Sequence, residues 1–160
     1  MSVKPIPEGY NTLSISLAVD DASRAIDFYQ RAFGAKERFR MDASGGKVGH
    51  AELEIGDSVV MLADPTPSSS ARPPSELGGT TSVIFMFVED VDTTVLRAVD
   101  AGGTLTRPVE DMFWGDRTGQ VVDPFGHQWM IATHVEDVPE SEFPARLAEW
   151  SSKQKQHEPA

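Results

Sequence analysis

A chain of 160 residues with a formal net charge of −11 and no cysteine has room for one compact domain, or for two small modules sharing a core. It excludes disulfides, thiolate nucleophiles and cysteine-held metals, and its acidic balance argues against nucleic acid, which needs clustered Lys and Arg. No apolar run is long enough to span a bilayer and "MSVKPIPEGYNTL" lacks the apolar core of a signal peptide, so a cytoplasmic protein without membrane association is expected.

In chain order, "LSISLAVDDASRAIDFYQRAFGA" reads as a strand entering a helix. Ala22, Ala25, Ile26, Tyr29, Ala32 and Phe33 recur at three- and four-residue steps, Asp21 is placed to cap the start, and Gly34 to end it. Three β candidates follow: "AKERFRM", "KVGHAELEI" and "SVVMLAD". After the aperiodic, Pro- and Ser-rich "DPTPSSSARPPSELGG", the pattern repeats in "VIFMFVEDVDTTVLRAVDAGGTL", with Asp90 as cap and Gly102–Gly103 as stop. The next β candidates are "GTLTRPV", "TGQVVD" and "HQWMIAT". Val19 and Val88, Asp21 and Asp90, and Gly34 and Gly103 all stand 69 positions apart (88 − 19, 90 − 21, 103 − 34), which marks an internal repeat. The reading is α+β, with two β-α-β-β-β modules forming curved mixed sheets around a cavity. The first module takes residues 1–64, a linker or lid 65–81, the second module 82–138, and a helical tail 139–160 whose helix runs from about Ser141 or Pro144 to Lys153.

Duplicated β-α-β-β-β units carrying "VDDASRAIDFYQRAFGA" and "DPFGHQWMI" resemble the vicinal oxygen chelate superfamily, which includes glyoxalase I, extradiol dioxygenases and the bleomycin- and fosfomycin-resistance proteins. The "GHAEL" strand, "IGDSVVMLAD" and "FWGDRTGQVVDPFGHQWMIATHVEDV" resemble its PhnB-like branch. The resemblance implies a homodimer, modules being paired within or between chains. In metal-dependent members it also implies four His, Glu or Gln ligands from the first and fourth strand of each unit. Counted from Val19 and Val88, those positions fall on Ser14, Met61, Val83 and Met130. Such a set suits no hard divalent ion, since zinc, magnesium and manganese want imidazole, thiolate or anionic oxygen. No metal and no other cofactor is expected.

The polar chemistry left over is sparse. In "HAELEI", Ala51, Leu53 and Ile55 alternate with His50, Glu52 and Glu54, so the polar set points away from the helices. His50 and Glu52 stand about 7 Å apart on one strand face, a spacing that suits a histidine–carboxylate base, an unconventional metal pair or a plain solvated strand. In "DMFWGDRTG", Trp114 and Arg117 set flat apolar area beside charge, as small-molecule pockets do, and Phe85 and Phe87 share a face with Val83. His127 and His134 are an odd step apart and cannot chelate one ion. The leading expectation is a small organic ligand, aromatic or cationic, bound without metal by Ser14, Met61, Phe85, Trp114, Arg117 and Met130, with His50 and Glu52 as polar contacts. The alternatives are a lyase or isomerase using His50 as general base, with or without a metal at His50 and Glu52, and a structural or partner-binding protein with a filled cavity.

Overall fold

The computed structural model describes residues 3–157, the last four by backbone only. Strand β1 (Ile15–Ala18) leads into helix α1 (Ala22–Phe33), followed by β2 (Lys36–Asp42), β3 (Val48–Ile55) and β4 (Ser58–Ala63). After the short helix α2 (Pro74–Leu77), the second unit runs β5 (Val83–Phe87), α3 (Val91–Asp100), β6 (Thr104–Asp111), β7 (Asp116–Val122) and β8 (Gln128–His134). Helix α4 (Phe143–His157) ends the described chain, about four residues beyond its expected end. The sheets are ordered β1-β4-β3-β2 and β5-β8-β7-β6, each with one parallel pair between its first and fourth strand in chain order.

The repeat extends to how each helix begins. Asp21 Oδ1 accepts from Arg24 N at 3.0 Å, and Asp90 Oδ1 accepts from Thr93 N at 2.9 Å. Each such cap is worth about 1 kcal/mol. The first helical N–H of each unit is taken by a residue at the end of the fourth strand: Ala22 N by Asp64 and Val91 N by Thr133, pairs again 69 apart (91 − 22, 133 − 64). Gly34 closes α1 in the left-handed conformation, at φ 67°.

The helix-facing residues of both sheets, among them Leu17, Ala51, Leu53, Leu62, Val121, Trp129 and Ile131, join the buried faces of α1 and α3 in one core. The modules meet through this layer. Tyr29 and Phe33 of α1 pack on Trp129 of β8, with ring centroids 5.4 and 4.7 Å apart. His127 Nε2 lies 2.9 Å from the Ala18 carbonyl, a contact that ties the DPFG turn to β1. At the centre Asp123, 3% exposed, accepts four hydrogen bonds: from Phe125 N and His127 N on one oxygen, and from the Tyr29 hydroxyl and Trp129 Nε1 on the other. Burial and the neighbouring carboxylate push the Tyr29 phenol well above its ordinary range.

Because the modules associate through their helix side, the sheets do not close on one another. The cavity expected between the sheets is an open trough of about 1550 Å³ along β5 and the β1 and β4 ends, lined in part by Ser14, Phe85, Phe87, Thr133 and His134. The linker is pinned at one point. Pro73 and Pro74 are buried, and a Cβ on Gly126 of the DPFG turn would come within 2.8 Å of Pro74 Cβ. The tail helix docks on its own body, Phe113 meeting Phe143 at 6.2 Å and Trp150 at 6.0 Å.

Candidate functional site

Strand pairing decides which side chains share a surface. On the first sheet, Glu52 stands opposite Met61, Met61 opposite Ser16, and His50 opposite Met41. His50, Glu52, Met61, Ser16 and Met41 therefore lie together on the open face, with Ala51, Leu53 and Leu62 on the buried one. The first-strand neighbour of Met61 is Ser16, not Ser14. Ser14 precedes β1 and is exposed. The two-residue offset keeps the same face, because side chains alternate with period two.

His50 Nε2 lies 3.3 Å from Glu52 Oε1, and the Tyr10 hydroxyl donates a short hydrogen bond to Glu52 Oε2. Tyr10 comes from the segment before β1. The Arg38 guanidinium sits 4.9 Å over its ring and donates to the Gly9 carbonyl at 2.9 Å. The Tyr10 hydrogen bond, aided by His50, holds the Glu52 carboxyl below its ordinary value, and the same bond raises the Tyr10 phenol. A depressed carboxylate stabilises the fold above its unfolded pKa, and that contribution is lost as pH falls through the folded value. Replacing Tyr10 with Phe is expected to move Glu52 upward toward the ordinary carboxylate range, so that the stability it adds above the unfolded pKa, and the part of it lost on acidification, both shrink. A carboxyl-carbon NMR titration of both proteins reads this directly; an unmoved Glu52 would show that Tyr10 does not hold it.

On the second sheet, Phe85 stands opposite Met130, Met130 opposite Gln120, and Phe87 opposite Ala132. Val83, Phe85 and Phe87 are half or more exposed, and the two phenylalanine rings lie 5.1 Å apart. His134 and Asp116 pair directly across β8 and β7 on this same face. Asp116, 7% exposed, receives Trp114 Nε1 at 2.8 Å on Oδ2 and faces His134 Nδ1 at 2.7 Å through Oδ1. Trp114 thus acts on the open face through Asp116. Arg117 does not join it. It lies on the opposite side of β7, where Asp92 takes its Nε and Nη2 at 2.8 and 2.9 Å and Asp111 takes Nη1 at 2.9 Å. These carboxylates hold the guanidinium well above its ordinary value and fix it as a strut between β7 and α3.

At the paired first- and fourth-strand positions stand Ser16 with Met61 and Phe85 with Met130; the counted Ser14 and Val83 fall two residues earlier. A hydroxyl, two thioethers and a phenyl ring offer no imidazole or anionic oxygen, so this set does not fit the divalent metal of the fold's metal-dependent members. Among the described residues no three His, Asp or Glu side chains converge as ion ligands, and no helix is long and apolar enough to cross a membrane.

Two βαβββ modules, related by a constant offset and built on mixed four-stranded sheets, define the class. Residues 12–131 match the family model of the Glyoxalase/Bleomycin resistance protein/Dioxygenase superfamily, and the chain belongs to it. An uncharacterized protein of Mycobacterium tuberculosis is 44% identical over 139 residues, covering 85% of this chain and 82% of that one. Protein YjdN of Escherichia coli is 25% identical over 131 residues, covering 69% and 86%. Among solved structures, TioX from Micromonospora superposes with a TM-score of 0.63 at 31% identity, over 78% of this chain and 99% of that one. An Arabidopsis thaliana gene product follows at 0.62 and 27%, over 77% and 98%.

Proposed function

We propose that this protein binds a small organic molecule, aromatic or cationic, on the open faces of its sheets, without the divalent metal of its metal-dependent relatives. The observation that carries the reading is the pairing of Phe85 with Met130 and of Ser16 with Met61 where that metal's ligands would stand. Such positions supply apolar contact and a single hydroxyl, which is how a pocket that recognises shape is built. Phe85, Met130 and Met61 make the apolar contacts, Ser14 lies at the rim, and Trp114 acts through Asp116. His50 and Glu52 supply polar contacts on the first sheet; Arg117, committed to Asp92 and Asp111, is left out. The "GHAEL" strand and the run from Phe113 to His134 support a place in the PhnB-like branch, and a cytoplasmic location is part of the reading.

The exposed row Val83, Phe85 and Phe87 on edge strand β5 supports a homodimer, in which a module of the second copy covers this face and completes the pocket. Replacing Phe85 with Ala should weaken binding of any aromatic hit from a thermal-shift screen by at least about tenfold, since a buried phenyl contact exceeds the 1.4 kcal/mol that a factor of ten requires. Unchanged affinity in calorimetry would remove Phe85 from the site.

A second reading is favoured by one observation, the Tyr10–Glu52–His50 chain. A carboxylate between a phenol and an imidazole is the arrangement of a general base with its orienting acid, and it supports a lyase or isomerase acting through His50. A His50→Ala protein that keeps its ligand and loses turnover would select this reading.

A further inference from the structure

We infer that His134 is an anion anchor on the open face of the second sheet, and that the molecule bound there is an aromatic carboxylate. The inference rests on the reading that this face receives a ligand, and it narrows the ligand's chemistry.

Both ring nitrogens of His134 face carboxylates. Nδ1 lies 2.7 Å from Asp116 Oδ1 and Nε2 lies 3.0 Å from Asp137 Oδ1. Carboxylate oxygens only accept, so two such contacts favour the ring that carries both protons, the imidazolium. The two carboxylates, Asp116 first, raise its pKa accordingly. They are not equivalent. Asp116 is buried and fixed from behind by Trp114 Nε1 at 2.8 Å, whereas the Asp137 side chain is fully exposed. Solvent screens a pair this exposed, so Asp137 is a weak occupant of the position at Nε2.

Asp137 also shows what that site accepts. Nε2–H donates to a carboxylate oxygen, and a ligand carboxylate that takes the place of Asp137 Oδ1 meets the same donor. A cationic group would meet the ring's own proton instead. Phe87, opposite Ala132 two residues along the same strand from His134, and Phe85 beyond it supply flat apolar area on the same face, and both line the trough with His134. The geometry joins an apolar wall to a positive end at His134.

The test uses the full chain and three probes of one shape: benzoate, benzamide and benzylamine. The readout is the His134 ring nitrogen shifts in two-dimensional NMR. Benzoate is expected to shift Nε2 saturably, at least tenfold more tightly than the other two. Asp137→Asn, a change at an exposed position, should tighten benzoate about two- to fivefold by removing the internal competitor, and His134→Gln should abolish the preference for the acid. Equal binding of benzamide or benzylamine, or no gain in Asp137→Asn, would overturn the anchor. If binding is equal and lost in Phe87→Ala, the apolar ligand face stands without it. Saturable benzoate binding that leaves His134 unmoved also overturns the anchor, and no response to any probe counts against both anchor and face.

Discussion

Replacing Asp123 with alanine is expected to destabilise the protein by about 3–5 kcal/mol, the range found when a buried charge with several partners is removed. The carboxylate holds the two modules together. Its Oδ1 takes two backbone N–H groups of the DPFG turn, and its Oδ2 takes the Tyr29 hydroxyl of α1 and Trp129 Nε1 of β8, at 2.7 to 2.9 Å. Alanine leaves four donors facing a void among residues that are almost wholly buried. Asp123→Asn sharpens the argument, since its amide nitrogen would meet Trp129 Nε1, which can only donate, while the Tyr29 hydroxyl can turn to accept. Asparagine should fall between wild type and alanine. Urea melts of the three proteins check the order; a loss below about 1 kcal/mol for alanine would mean that water replaces the carboxylate.

Gly115→Ala should cost about 2–4 kcal/mol and disturb the His134 site at the same time. Gly115 stands at φ 99°, which side chains rarely adopt, and an added Cβ would fall 2.0 Å from the Glu136 carbonyl oxygen. The Gly115 carbonyl accepts from Val135 N at 2.9 Å and Glu136 N at 3.0 Å, so the clash pushes away the segment that follows His134 and carries Asp137. Gly34→Ala is the control. Gly34 also has positive φ, at 67°, but a Cβ there meets nothing within 4 Å, and the cost should stay near 1 kcal/mol. Thermal melts read the stabilities and the His134 ring shifts read the site. Equal losses for the two glycines would show that close approach at Gly115 adds nothing to backbone strain.

The fold was legible because its signals are local and repeated. Caps at Asp21 and Asp90, a left-handed stop at Gly34 and the alternation in "HAELEI" each depend on a few neighbouring residues, and the 69-residue offset orders them into two units. Face assignments survived the misplacement of Ser14 because a two-residue shift preserves parity. The polar groups were harder to read. Tyr10 meets Glu52 across 42 positions through a segment with no periodicity of its own, and only tertiary structure brings them together. His134 was weighed as half of a chelating pair with His127, which its odd spacing rules out. Its cross-strand partner, Asp116, emerges once β7 and β8 are set in register, a pairing that "GDRTGQ" and "MIATH" do not announce. Arg117 misled for the complementary reason: it neighbours Trp114 in sequence but points to α3, one residue's alternation from the open face. That the cavity is an open trough was not legible, because the count of strands fixes the sheets and not the way two modules approach each other.

Ligand binding in this superfamily member is proposed to need no divalent metal of the kind its metal-dependent relatives hold. Elemental analysis of protein purified without a metal-affinity column tests it most directly. With Ser16, Met61, Phe85 and Met130 at the paired positions, zinc, manganese, iron and nickel should each stay far below one equivalent per chain, and adding them should leave the melting temperature unchanged. One equivalent of any of them, retained through dialysis and lost together with ligand binding in a His50→Ala or Glu52→Ala protein, would contradict the account.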